Sequence, residues 1–179
     1  MSYVARACRG GEEHRVWPGP DGRRVEKATY PGCFGFTVLA SPAAGGLPDL
    51  AKGLPLEYLE RLLLQNEIFG DEIELQGVAV EDGKAVIPTS QPALVGQPPA
   101  FSDITAFLSR LWFRPLPGLH LGNPGALAFY RDLDELAVFD AHPANFVQDT
   151  AGVILPIDLI LVRADPPLQE ALKAFMVGA

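Results

Sequence analysis

Two cysteines and three histidines among 179 residues leave this chain nearly without soft metal ligands. Cys8 and Cys33 stand far apart with no C-x-x-C spacing, so neither a disulfide framework nor a cysteine-based zinc site is on offer. A reducing cytoplasm is the expected setting. No group of His, Asp and Glu has zinc-ligand spacing, which puts metal hydrolysis behind other chemistries. Positive charge is short as well: 14 Lys and Arg stand against 22 Asp and Glu, a formal net charge of -8. That balance argues against nucleic acid as a partner, which needs a basic face. It does not exclude ATP, whose phosphates can be met by one lysine, backbone amides and a metal. Long apolar runs are also missing. MSYVARACRGG has no apolar leader region, and no run is long enough to cross a bilayer, so no membrane partner is expected.

What is present describes one globular unit with a sizeable core: 48% hydrophobic and 20% charged residues rule out a disordered chain. Residues 1–8 and 14–17 read as strands, with Cys8-Arg9-Gly10-Gly11 closing the first. Pro18-Gly19-Pro20-Asp21-Gly22 is a turn, and RRVEKAT alternates as a third strand. Residues 41–54 are Pro/Gly-rich and predict an irregular connection. LPLEYLERLLLQNEIFG is the clearest helix, with an apolar stripe at 56, 59, 62, 63 and 69 and a stop at Gly70. IELQGVAV and KAVIPTSQP, joined at Glu81-Asp82-Gly83, predict a hairpin that supplies the fourth and fifth strands. FSDITAFLSRLWF is a second helix with Ser102 as N-cap, and Trp112 and Phe113 read as core. Two strands follow in GALAFYRDLDELAVFD. LILV and PPLQEALKAFM close the chain as a strand and a helix.

The most informative stretch is VFDAHPANFVQDTAGVILPID, residues 138–158. A turn at Asp149-Thr150-Ala151-Gly152 makes it a hairpin that brings Asn145 near Asp158, with Asp140 at its mouth. Phosphoryl transfer from ATP needs such parts: a carboxylate for the acceptor hydroxyl, and an Asn and an Asp for magnesium. Oxygen donors suit that hard cation, and an amide beside a carboxylate avoids crowding negative charge near the phosphates. The competing reading is turn and cap chemistry, for which Asn and Asp are ordinary residues.

D-A-H-P-A-N with a following I-D resembles the catalytic loop and metal-binding Asp of the protein-kinase-like superfamily, in its aminoglycoside phosphotransferase and choline kinase branch. The chain is most similar to the small kinase-like domain of bacterial and phage polyvalent proteins. That similarity runs through GGEEH, VEKAT, YLERLLLQNEIFGDEI, TSQP and DAHPANF. The resemblance implies an α+β, minimal two-lobed kinase-like fold: an antiparallel five-stranded N-lobe sheet with one helix in residues 1–92, and a reduced C-lobe in 93–179. It implies ATP and Mg2+ as cofactors, Asp140 as the catalytic carboxylate, and Asn145 and Asp158 as metal ligands. Lys27 would contact the phosphates, Gly10 and Gly11 would lie beside them, and Gln91 would offer backbone groups to adenine, since Pro92 has no N–H. Glu60 is the choice for the carboxylate that positions Lys27, with Asn66 and Glu67 as rivals. Glu13 and His14 fall in a shared block and read equally well as surface turn residues. His142 would brace the loop by hydrogen bonding, and His120 reads as ordinary.

The sequence also departs from the family pattern. Asp158-Leu159-Ile160 stands in place of D-F-G, no His-Arg precedes Asp140, and only Leu159 to Ala179 follow the metal-binding Asp. Two readings stand on this: a phosphotransferase acting on a hydroxyl of a protein or small molecule, or an inactive kinase-like module for nucleotide binding or protein interaction. In the first, either a minimal platform holds the substrate or a partner or second copy supplies the missing surface.

Overall fold

The computed structural model describes residues 13–176. In chain order the strands are β1 (His14–Pro18), β2 (Arg24–Thr29), β3 (Phe36–Ser41), β4 (Leu47–Lys52), β5 (Glu74–Leu75), β6 (Ala79–Glu81), β7 (Lys84–Val86), β8 (Pro88–Pro92), β9 (Arg114–Pro115), β10 (Leu127–Arg131), β11 (Leu136–Ala141), β12 (Phe146–Gln148), β13 (Ile154–Pro156) and β14 (Ile160–Arg163). The helices are α1 (Pro55–Phe69), α2 (Phe101–Arg110) and α3 (Pro166–Lys173). The protein is α+β, with small antiparallel sheets. No helix among the described residues is long and apolar enough to cross a membrane. Two units form: residues 13–35, 52–97 and 148–153 make the first, and 36–51, 98–147 and 154–176 the second.

In the first unit the sheet runs β1-β2-β8-β5, and Lys27 sits on β2 between Val16 and Thr89. Among the described residues this sheet has four strands, not the expected five. The expected strand over 1–8 lies outside the described residues. The hairpin β6–β7 also pairs by itself rather than extending the sheet. Its turn is as expected, with Asp82 and Gly83 both at positive φ (51° and 72°). The run read as one strand from Ile73 breaks at Gly77, whose φ of 141° favours a residue without a β-carbon. The return strand is interrupted at Ile87, whose N–H goes to the Thr29 hydroxyl at 3.0 Å, just ahead of Pro88 at the start of β8.

Helix α1 begins at Pro55, where the missing N–H costs nothing, and Glu57 reaches back to the Leu54 N–H at 2.6 Å. It stops at Gly70 in the left-handed region. Its buried face is not the leucine stripe. Tyr58, Arg61, Leu64 and Gln65 are buried, while Leu56 and Leu63 are exposed. Polar side chains occupy this face because each finds a partner there: His14 Nε2 meets Tyr58 OH at 3.0 Å, Arg61 donates to Glu13 at 2.8 Å, and Gln65 donates to Asp71 at 2.6 Å.

The second unit is built on the antiparallel sheet β14-β11-β10-β9. Leu136 to Phe139 of β11 are all buried, as a strand covered on both faces requires. Ala137 and Phe139 pack with Leu116, Tyr130, Ile160, Leu168 and Leu172 in one cluster. Each such large side chain removed from water contributes about 1.5–3 kcal/mol. Residues 41–54 are not irregular: Gly45 and Gly46, at φ 68° and 84°, turn β3 back onto β4, and Val38 joins this same cluster. Segment 36–51 therefore belongs to the second unit, not to a first lobe ending at residue 92. Ser102 is inside α2 rather than at its cap; Asp103 serves the helix start by accepting from the Ala100 N–H at 3.2 Å. Phe113 is core, under the Arg131 guanidinium at 4.5 Å. Trp112 is 79% exposed, turned outward by a backbone φ of 67° at the helix end.

Candidate functional site

Asp140 is the last residue but one of β11, and its φ of 57° is a left-handed conformation that Asp tolerates better than most residues. A 3-10 turn follows at Pro143–Asn145. His142 caps it, accepting from the Ala144 N–H at 3.2 Å, and stands edge-on to Phe101 with ring centroids 5.6 Å apart. This is the bracing role expected of His142. Asn145 is buried, and its Nδ2 donates both to the Asp140 carbonyl and to Asp140 Oδ2, each at 2.8 Å. Both inward partners are acceptors, which fixes the amide nitrogen inward and leaves Asn145 Oδ1 to accept or to ligate. The Ile157 N–H donates to the Asn145 carbonyl at 2.9 Å, which ties Asp158, the next residue, to the same loop. So β11 and the 3-10 turn bring Asp140 and Asn145 together, and Asp158 follows a residue whose backbone is bonded to that turn.

A fourth participant was not expected. The Asn123 backbone N–H donates to Asp140 Oδ1 at 2.6 Å, and its Nδ2 lies 3.0 and 3.1 Å from the two carboxylate oxygens. Gly122 precedes it at φ 99°, so close that a β-carbon there would lie 2.3 Å from Asp140 Oδ1. In the sequence, L-G-N-P-G carries only a loop signal, and nothing marks Asp140 as left-handed. His120 Nδ1 is 2.8 Å from the Ala126 carbonyl; that pairing requires the proton on Nδ1 and makes His120 a brace of the loop.

In the first unit, Lys27 is half-buried on β2. Glu60 and Glu67 lie on the exposed side of α1, and Asn66 is engaged by Ile73, donating to its carbonyl at 2.8 Å and accepting its N–H at 2.7 Å. Asp71, a residue the sequence reading did not single out, feels the charge of Lys27. Burial pushes Asp71 up to about 6, against the opposing pull of the Gln65 hydrogen bond and the Lys27 charge. Gln91 is buried in β8 opposite Val25. Glu13 and His14 are not surface turn residues; they hold Arg61 and Tyr58 as described above. Gly10 and Gly11 lie outside the described residues.

No family model, curated protein or solved structure matches the chain. The chemical argument therefore rests on the donors themselves. A carboxylate and an amide oxygen are hard oxygen ligands that suit magnesium, and a second carboxylate held by amide N–H groups suits the reception of a hydroxyl.

Proposed function

We propose that the protein is an ATP- and magnesium-dependent phosphotransferase of minimal kinase-like, two-lobed architecture, acting on a hydroxyl of a protein or small molecule. The observation that carries this reading is the orientation of Asn145: its nitrogen is spent on Asp140, which leaves its oxygen to face a cation. Asn145 and Asp158 would hold magnesium, which would offset the charge of the phosphate oxygens. Lys27, with Asp71 or the first-chosen Glu60 to position it, is assigned to the phosphates, and Gly10, Gly11 and Gln91 remain the proposed nucleotide contacts. Asp140 would accept a hydrogen bond from the acceptor hydroxyl. As the acceptor oxygen bonds to the γ-phosphorus, the bond to the β–γ bridging oxygen breaks, and that electron pair leaves with ADP. The acceptor proton passes to Asp140 and then to solvent.

Asp140→Ala is expected to leave Mg-ATP affinity within about threefold of wild type and to lower transfer about a thousandfold, read as ADP release with candidate acceptors. Equal release by both proteins would sink the assignment of Asp140. The second reading, a kinase-like module with little turnover, is favoured by one observation: amide N–H groups already approach both Asp140 oxygens. It predicts Mg-ATP binding without ADP release.

A further inference from the structure

Resting on the phosphotransferase reading, we propose that Asn123 is a positioning residue of the Asp140 site, holding the carboxylate in the orientation that receives an acceptor hydroxyl. Four contacts hold this carboxylate from two sides. Asn123 contributes a 2.6 Å bond from its backbone N–H and a side-chain amide shared between Oδ1 and Oδ2, while Asn145 Nδ2 holds Oδ2 from the other side. With the backbone of Asp140 itself left-handed, little torsional freedom is left to the carboxylate. The approach depends on Gly122, since a β-carbon there would overlap Oδ1 and lie 2.4 Å from Cγ. Its loop is closed on itself: the Ala126 N–H donates to the Asn123 carbonyl at 2.9 Å, and His120 holds the Ala126 carbonyl.

Geometry of this kind matters for transfer more than for folding. Asn123 is exposed and Asp140 only half-buried, so the bonds between them contribute little to stability in competition with water. Phosphoryl transfer, in contrast, depends on placing the acceptor within a fraction of an ångström, and misplacement by about 1 Å can cost two orders of magnitude in rate. Asn123 itself would touch neither acceptor nor nucleotide; it would act through Asp140.

The experiment pairs kinetics with a direct view of the carboxylate. Asn123→Ala removes the side-chain contact, and Gly122→Ala forces the whole loop away. For each, ADP release from Mg-ATP and the 13Cγ resonance of Asp140 at pH 7 are compared with wild type. The expected result is a fall in kcat of about tenfold or more, with KM for Mg-ATP within about twofold and a displaced Asp140 resonance in both variants, and with thermal stability nearly unchanged in Asn123→Ala. An unmoved resonance in both variants overturns the proposal even where turnover persists. A proportionate loss of kcat and thermal stability in Asn123→Ala overturns it too, since a merely structural side chain would behave so. If wild type neither binds nor turns over Mg-ATP while the resonance still moves in both variants, the phosphotransferase reading fails and the hold of Asn123 on Asp140 is supported.

Discussion

Asp71 is a carboxylate kept where burial disfavours its charge. Its value is raised from the ordinary 3.8 to about 6, chiefly by desolvation, while Gln65 and Lys27 pull the other way. A raised folded value means that the native protein holds this proton more tightly than the unfolded chain does. The stabilising contribution is thus complete below about pH 4 and is lost as pH rises through about 6. At pH 7 the ionised Asp71 costs roughly 1–3 kcal/mol relative to a neutral group of the same shape. Asp71→Asn keeps an acceptor for Gln65 and is expected to raise stability at pH 7 by that order while changing little at pH 4. Urea denaturation of both proteins across this range checks it; a difference that does not vary with pH would contradict the assignment. The sequence offered no way to find Asp71, because Asp after a helix-ending Gly reads as loop chemistry. Its raised value comes from burial, which the local residue pattern does not announce.

The junction of α1 with the β5 segment depends on one side chain. Asn66 both donates to and accepts from the backbone of buried Ile73, as a strand partner would. Asn66→Ala would leave an N–H and a C=O unsatisfied there and is expected to cost about 2–3 kcal/mol. Glu67→Ala, one position on and exposed, should change stability by less than about 0.5 kcal/mol. Chemical denaturation separates the two; equal effects would contradict the role given to Asn66. This scale also shows what was legible in the sequence. Strands β1, β2, β10, β11 and β14 and the helices among the described residues could be located because turn residues and periodicity punctuate them. The buried face of α1 could not be, since Tyr58, Arg61 and Gln65 are buried by partners that periodicity does not reveal. The hairpin of β3 and β4 was hidden by the same Pro and Gly residues that make its turn.

Across the whole molecule, the acidic balance limits how a nucleotide can be held. A chain with a formal charge of -8 gains nothing from long-range attraction to a polyphosphate, so binding must come from a local cation and a few placed donors. The nearness of Asp140 and Asn145 was legible from spacing, because one 3-10 turn fixes their separation. The left-handed backbone of Asp140 and the grip of Gly122-Asn123 were not, since they depend on a loop distant in sequence. The central claim is that this loop holds magnesium for ATP. Calorimetric titration of ATP, with and without magnesium, on wild type and Asp158→Ala tests it most directly. The account predicts binding to wild type that requires magnesium and is weakened at least about tenfold in Asp158→Ala. Magnesium-dependent binding of equal strength in both proteins, or no binding to wild type, would contradict it.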